Sequence, residues 1–254
     1  MKTPCRCKER SKKSAPEPIF SPIDLNDEME NIPEEMKEPF AFVGREKMLC
    51  TEIMNDGNQI TIRFCPKQSP VVIGGGLSHK EYIIDRIDFH WASAHTINRE
   101  RFPLETHILM YCTEYSGIDE ALLKEGAAAL SIMHDFADRT SPSISKLLTF
   151  IPHISKAVNK PVPYCVISLD DYLPNDTKNY WRYTGSTTDE PVKHGLEWTV
   201  FEEMLPLTRI DLGTFTNIFN EVGNLVVSNY KGVQPLPQNA QVYKNSYCCG
   251  PSSK

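Results

Sequence analysis

The chain has 254 residues, 40% of them hydrophobic and 24% charged, enough to bury a sizeable core as one large β-type domain or two small ones. A formal net charge of −6 and a pI near 5.7 exclude a general nucleic-acid binder, which needs an extended basic surface to neutralise phosphates. No apolar run approaches the length of a membrane span, so no transmembrane segment is predicted.

The first residues, M-K-T-P-C-R-C-K-E-R-S-K-K-S, are basic but lack the apolar stretch of a signal peptide, and the expected location is cytoplasmic with reduced cysteines. The eight cysteines show neither the CxxC pairs of a zinc ribbon nor the density of a secreted scaffold. Cys65, Cys112 and Cys165 lie in apolar surroundings and are predicted as buried thiols. Cys5/Cys7 and Cys248/Cys249 sit in polar tails, where surface thiols, acylation beside the basic cluster and incidental metal binding all remain open. An acidic stretch follows from Asp24 to Glu38, and both charge blocks read as solvated or loosely docked.

From about Ala41, short β-rich runs alternate with turn signals at N-D-G-N (55–58), G-G-G (74–76) and P-N-D (174–176). The runs include Q-I-T-I-R-F-C, Y-I-I-D-R-I-D-F-H-W, E-T-H-I-L-M-Y-C, V-P-Y-C-V-I-S-L and L-E-W-T-V-F. The pattern predicts one antiparallel β-rich domain with a few helices. Residues 1–19 form a basic tail, 20–245 the domain and 246–254 a C-terminal tail. By local propensity A-L-L-K-E-G-A-A-A-L-S-I-M-H-D-F-A-D reads as helix, and so does S-P-S-I-S-K-L-L-T-F-I with Ser143 as its cap.

On a strand alternate side chains share a face, so Arg86, Asp88 and His90 point one way, and Glu105 and His107 do so on the next strand. If the two strands pair, a carboxylate and two imidazoles converge, the ligand count of a catalytic zinc site with an open fourth position. Spacing alone favours the other reading, two solitary histidines on unrelated strands.

Y-I-I-D-R-I-D-F-H-W-A-S-A-H-T-I-N-R-E-R-F-P-L-E-T-H-I-L-M-Y resembles the centre of an α-type carbonic anhydrase, with its Q-F-H-F-H-W-G, S-E-H-T and A-E-L-H-L-V. F-S-P-I-D-L, N-D-G-N, Y-W-R-Y-T-G-S-T-T-D-E-P, L-E-W-T-V-F and N-Y-K-G-V-Q-P-L resemble further family segments in the same order, over residues 20 to about 240. The resemblance implies that family's α+β, mainly β, fold, a single domain on a large, twisted, mostly antiparallel sheet with a few short helices and a metal at the base of a conical cleft, and it turns A-A-A-L-S-I-M into a strand.

It also implies roles, and departures from them. In the family three histidines bind zinc, whose charge lowers the pKa of bound water to about 7 for attack on CO₂. His90 and His107 fall on two of those positions and Asp88 on the first, a shorter ligand that makes any bound water less acidic. Arg86 replaces a glutamine behind the missing histidine and is expected to pair with Asp88, with Asp85 or solvent as its alternatives. Thr188 holds the gatekeeper position, but its glutamate has become Ala94. Asn58 occupies the proton-shuttle position and cannot titrate near neutral pH. Leu109, Ala129, Leu196 and Trp198 match the apolar substrate pocket, with Thr187 in place of a leucine. Asp189 and Glu190 add negative charge where bicarbonate would enter. Glu105 and Asn229 match supporting positions behind the ligands, and His95/Tyr183 a structural hydrogen-bonded pair.

The departures imply a carbonic-anhydrase-related protein, with zinc weak or absent and a binding or regulatory role toward a protein partner. The alternative is a zinc carbonate dehydratase on an Asp-His-His site, acting on CO₂ and bicarbonate. A third reading keeps the cone as a small-molecule site.

Overall fold

The computed structural model describes residues 17–47 and 49–247, so the basic tail's cysteines and the Cys248/Cys249 pair lie outside the described residues. Ten strands carry the main path of the large sheet: β1 (Glu30–Asn31), β2 (Leu49–Asn55), β3 (Ile60–Phe64), β4 (Glu81–His90), β5 (Leu104–Cys112), β6 (Ala127–Phe136), β7 (Val162–Ile167), β8 (Tyr180–Ser186), β9 (His194–Phe201) and β10 (Val242–Asn245). Their spatial order is β7-β2-β3-β4-β5-β6-β9-β8-β10-β1. All neighbours along this path run antiparallel except β6 with β9 and β10 with β1. Short strands at Phe40–Val43, Val71–Gly74 and Leu205–Leu207 extend the sheet, and a three-stranded sheet is formed by Asp24–Leu25, Thr96–Ile97 and Glu100–Arg101. Among the described residues no helix is long and apolar enough to cross a membrane.

The sheet separates two apolar layers. Ile87, Phe89, Ile108, Met110, Ala128 and Leu130 pack on one side, with helices α1 (Ile118–Leu123), α2 (Pro142–Leu148), α3 (Ile151–Ile154) and α4 (Arg209–Phe215) completing the secondary structure. Leu109, Ala129, Met133, Leu196, Trp198 and Val200 pack on the other. β5 is buried along its whole length and β6 through its first eight residues. A strand buried on both faces shows no alternation, which is why alanine-rich β6 looks helical from sequence.

Local reading and structure part in three places. The A-L-L-K segment is half helix and half strand: α1 ends at Leu123, and Glu125 (φ 55°) with Gly126 turns the chain into β6. A Cβ on Gly126 would lie 2.0 Å from the Tyr115 ring, so only glycine fits this junction. Helix α2 starts from Ser141, not Ser143, because Pro142 takes the first helical position, where its missing N–H costs nothing. Cys112 is buried as expected, but Cys65, just past the end of β3, and Cys165, next to buried Tyr164 on β7, are exposed.

Candidate functional site

The site follows from register. Opposite one another across β4 and β5 stand His90 and Glu105, Asp88 and His107, and Arg86 and Leu109. The same face continues outward from Asp88 to Thr61 on β3, and from His107 to Ser131 and Leu109 to Ala129 on β6, with Trp198 on β9 beside Ala129. Period-two strands in register thus gather residues 61, 86, 88, 90, 105, 107, 109, 129, 131 and 198 on one face.

Glu105 is the hub of the inner half. It is fully buried. Its Oε1 lies 2.6 Å from His95 Nδ1 and 2.8 Å from His107 Nε2 and accepts from the Ser131 hydroxyl at 2.5 Å, while Oε2 accepts from the His95 amide at 2.9 Å. Burial pushes this carboxyl upward, but the two imidazoles more than offset it and hold it well below the ordinary range. A carboxylate only accepts, so His107 carries its proton on Nε2 and presents the Nδ1 lone pair on its other side. Burial also drives the His107 pKa down, against the pull of Glu105. His95 Nε2 meets the Tyr183 hydroxyl at 2.7 Å. Trp198 closes edge-on over both imidazoles, with ring centroids 4.8 Å from His107 and 4.9 Å from His95.

His90 packs against His107 at 4.3 Å between ring centroids, with the rings tilted 46° to one another. Asn229 fixes the backbone on either side of it, donating to the Phe89 carbonyl at 3.0 Å and accepting from the Trp91 amide at 2.8 Å. The Nε2 of His90 is buried without a hydrogen-bond partner.

The outer half is wired differently. Asp88 is only 1% exposed, and both its oxygens are taken: Oδ1 accepts from the Thr61 hydroxyl at 2.8 Å and Oδ2 from Arg86 Nε at 2.8 Å. Arg86 Nη1 reaches Asp85 at 3.0 Å, so the guanidinium bridges two carboxylates and satisfies both pairings considered for it. Asp88 first, and then Asp85, raise the Arg86 pKa against the cost of its burial. Among the described residues, sets of three His, Cys, Asp or Glu donor atoms within 4.8 Å of one another occur at His95/Glu105/His107 and at His79/Cys112/Glu114; Asp88, His90 and His107 do not form one.

A cavity of about 160 Å³ opens above this floor, lined in part by Arg86, Asp88, His107, Leu109, Thr187, Thr188, Leu196 and Trp198. Ala129 and Ala94 are fully buried, and Asn58 is exposed in the connection between β2 and β3 and does not line the cavity. The Thr188 side chain has no hydrogen bond among the described residues. At the mouth Asp189 accepts from Gln59 at 3.4 Å, and Lys193 pairs with Asp119 at 2.6 Å. Asp56, held nearby, has its pKa raised by burial and then by the charges of Asp88 and Asp189. The mouth is therefore rich in carboxylates. Three contributors are invisible to motif reading: Thr61, Ser131 and Lys193. They are contributed by other segments of the chain, and only the strand register and the folded mouth bring them in.

The twisted sheet, with imidazoles at the floor of a cone and a carboxylate behind one of them, defines the class of protein. A family model described as eukaryotic-type carbonic anhydrase matches residues 5–246, and the chain belongs to that family. It is 26% identical over 241 residues to carbonic anhydrase 15 of Mus musculus, covering 86% of this chain and 73% of that protein. It is 28% identical over 216 residues to carbonic anhydrase 6 of Canis lupus familiaris, covering 79% of this chain and 64% of that protein. A third relative, receptor-type tyrosine-protein phosphatase zeta of Rattus norvegicus, is 26% identical over 229 residues, which cover 84% of this chain and 10% of that protein.

Proposed function

We propose that this chain is a carbonic-anhydrase-related protein that keeps the family scaffold, does not hold zinc on Asp88, His90 and His107, and serves a binding or regulatory role in the cytoplasm. The observation that carries the reading is the state of Asp88. A ligand carboxylate must offer a lone pair to the metal, yet both Asp88 oxygens face donors, one of them a guanidinium. To bind zinc, Asp88 would give up its pairing with Arg86 and leave the guanidinium, then held by Asp85 alone, beside a second cation, which opposes metal binding. A three-residue metal set therefore does not fit these side chains, and no reaction step is assigned to one.

Two further features support the reading. Thr188 has lost its acceptor because position 94 is alanine, and Asn58 replaces a titratable group at the shuttle position. Asp189 and Glu190 at the mouth repel an anionic substrate. What the residues present can do is rigidify: Glu105, His95, Tyr183 and Asn229 hold the cone in one shape, which suits recognition by a partner. Likeness to one-tenth of a receptor-type phosphatase, named for a different chemistry, is in keeping with such a role.

One observation favours the alternative, a zinc-dependent dehydratase acting on CO₂ and bicarbonate. The unpartnered Nε2 of buried His90 is a lone pair available to a metal. The test compares metal content and CO₂ hydration of the wild type with those of His90→Ala/His107→Ala. Equal zinc content and equal, background-level hydration are expected. Zinc or turnover that disappears in the double variant would establish the dehydratase.

A further inference from the structure

The second donor set, His79/Cys112/Glu114, lies apart from the cone. Cys112 is five residues along β5 from His107, about 17 Å at 3.4 Å per residue. The pairing of β5 with β4 shifts register between Leu109 and Met110, and Cys112 joins the apolar layer opposite the cone. Directly after it the chain turns, the Tyr115 amide bonding the Cys112 carbonyl at 3.0 Å, which brings Glu114 back over the strand end. His79 arrives from the loop before β4. Its amide meets the Tyr82 hydroxyl at 3.3 Å, and its ring is held edge-on by Tyr82 and Tyr115, each at 6.0 Å between centroids. Tyr115 is itself fixed by its close approach to Gly126.

We propose that His79, Cys112 and Glu114 form a binding site for a divalent transition ion of borderline softness, with zinc the best match. Three observations carry the inference. Imidazole nitrogen, thiol sulfur and carboxylate oxygen all lie within 4.8 Å of one another. A tetrahedral zinc with bonds of about 2.0–2.3 Å needs its donors roughly 3.5 Å apart, so small side-chain rotations complete the site. None of the three side chains is engaged in a hydrogen bond or ion pair among the described residues, in contrast to Asp88. The burial is also graded: Cys112 is buried, His79 half-buried and Glu114 exposed. The metal would thus sit at the surface with its fourth position open to water.

The chemistry selects the ion. A neutral imidazole, a thiolate and a carboxylate carry two negative charges, which a divalent cation neutralises. The thiol proton leaves to solvent as the sulfur–metal bond forms, and no oxidant or reductant is involved. Sulfur and nitrogen donors disfavour magnesium and calcium, which prefer oxygen. Bridging the loop before β4 to the turn after β5, the ion would clamp one end of the two strands that carry Asp88, His90 and His107. This site is independent of whether the cone binds metal.

The test titrates Co²⁺ into the full-length reduced chain and follows the thiolate-to-cobalt charge-transfer absorption and the visible bands of tetrahedral cobalt. One equivalent should produce both, and one equivalent of Zn²⁺ should bleach them. Cys112→Ser should abolish the charge-transfer band. His79→Ala and Glu114→Gln, which alter more exposed positions and leave the core intact, should each weaken binding at least tenfold. His90→Ala/His107→Ala should leave the spectrum unchanged. Absence of a charge-transfer band would overturn the proposal, as would a band that persists in Cys112→Ser and His79→Ala, which would place the ion on other thiols. Loss of the bands in His90→Ala/His107→Ala would place it in the cone and overturn the proposal equally.

Discussion

Two buried carboxylates stand on the same sheet face and have different surroundings. Glu105 is ringed by two imidazoles, a hydroxyl and an amide, and it steadies His107 from behind while leaving Nδ1 available. Asp88, directly opposite His107, is held by Thr61 and by a guanidinium. The first carboxylate orients another group; the second is itself neutralised. One sheet face thus carries both a supporting network around Glu105 and, on the adjacent strand, an internal ion pair of Arg86 with Asp88.

The severest way to break the inner half is Glu105→Ala. It leaves two imidazoles, a hydroxyl and an amide without their acceptor in a dry interior. The expected loss is about 3–5 kcal/mol, a fall in melting temperature of roughly 10 °C for a domain of this size. Thermal and urea unfolding measure it. A loss under about 1 kcal/mol would mean that the network relaxes and that the inner half is less rigid than its geometry indicates.

The outer half should break differently. Arg86→Leu strands the Asp88 carboxylate and should cost about 3 kcal/mol, whereas Arg86→Leu with Asp88→Leu removes both charges and should recover most of that loss. The double-mutant cycle separates the pair from its packing. If the double variant is no more stable than the single, the ion pair is not what makes Arg86 necessary.

Much of this contrast was legible in the sequence. Period-two alternation placed Arg86, Asp88 and His90 on one face, and the likeness of E-T-H to a family segment placed Glu105 and His107 opposite them. The Arg86–Asp88 contact followed from two residues of opposite charge two positions apart on a strand. The Thr61 contact did not, because a cross-strand partner 27 positions away leaves no local signature. The β6 strand was hidden by alanines buried on both faces, and the exposure of Cys65 and Cys165 by buried sequence neighbours, Phe64 and Tyr164, that do not fix where the thiol lies. The reading of Ser143 as the cap overlooked Pro142, which at the first helical position fixes Ser141 as the start of the helix. His79 meets Cys112 only through the pairing of β4 with β5, so their spacing in sequence says nothing.

Reversing the substitution pair sharpens the comparison further. Asp88→His alone supplies a third imidazole but leaves Arg86, then paired only with Asp85, as a cation beside it, and should tighten zinc binding in the cone only about tenfold. Adding Arg86→Gln removes the repulsion and should bring the gain to about a hundredfold, or roughly 2.8 kcal/mol. Chelator competition, scored against the same variants carrying His90→Ala, reads the cone alone. Ala94→Glu on that background should raise CO₂ hydration with little change in affinity, because it acts through Thr188 and not through a ligand. Full affinity and full turnover from Asp88→His alone would show that neither Arg86 nor Ala94 matters.

The smallest expected effect is a pH dependence set by the sheet around Glu105, beyond the cone. His134, at the end of β6, is fully buried, with Nε2 2.8 Å from the Thr106 hydroxyl and Nδ1 without a partner. Burial lowers its pKa from 6.5 to about 3, with Glu105 pulling weakly the other way. The unfolded chain therefore takes up a proton below about pH 6.5 that the folded chain refuses until about pH 3, so the contribution is fully present above 6.5 and is lost as pH falls. Each pH unit below 6.5 costs up to about 1.4 kcal/mol, or roughly 2 kcal/mol by pH 5. His107 is shifted in the same direction and adds to the slope, whereas Glu105 contributes only below its unfolded value of 4.5. Urea unfolding between pH 7 and pH 5 thus reports the histidines. His134→Leu should flatten the dependence by close to one proton while lowering stability at pH 7 through the orphaned Thr106 hydroxyl. Parallel slopes for wild type and variant would show that His134 takes up its proton in the folded state and that the sheet interior around Glu105 is wetter than its burial indicates.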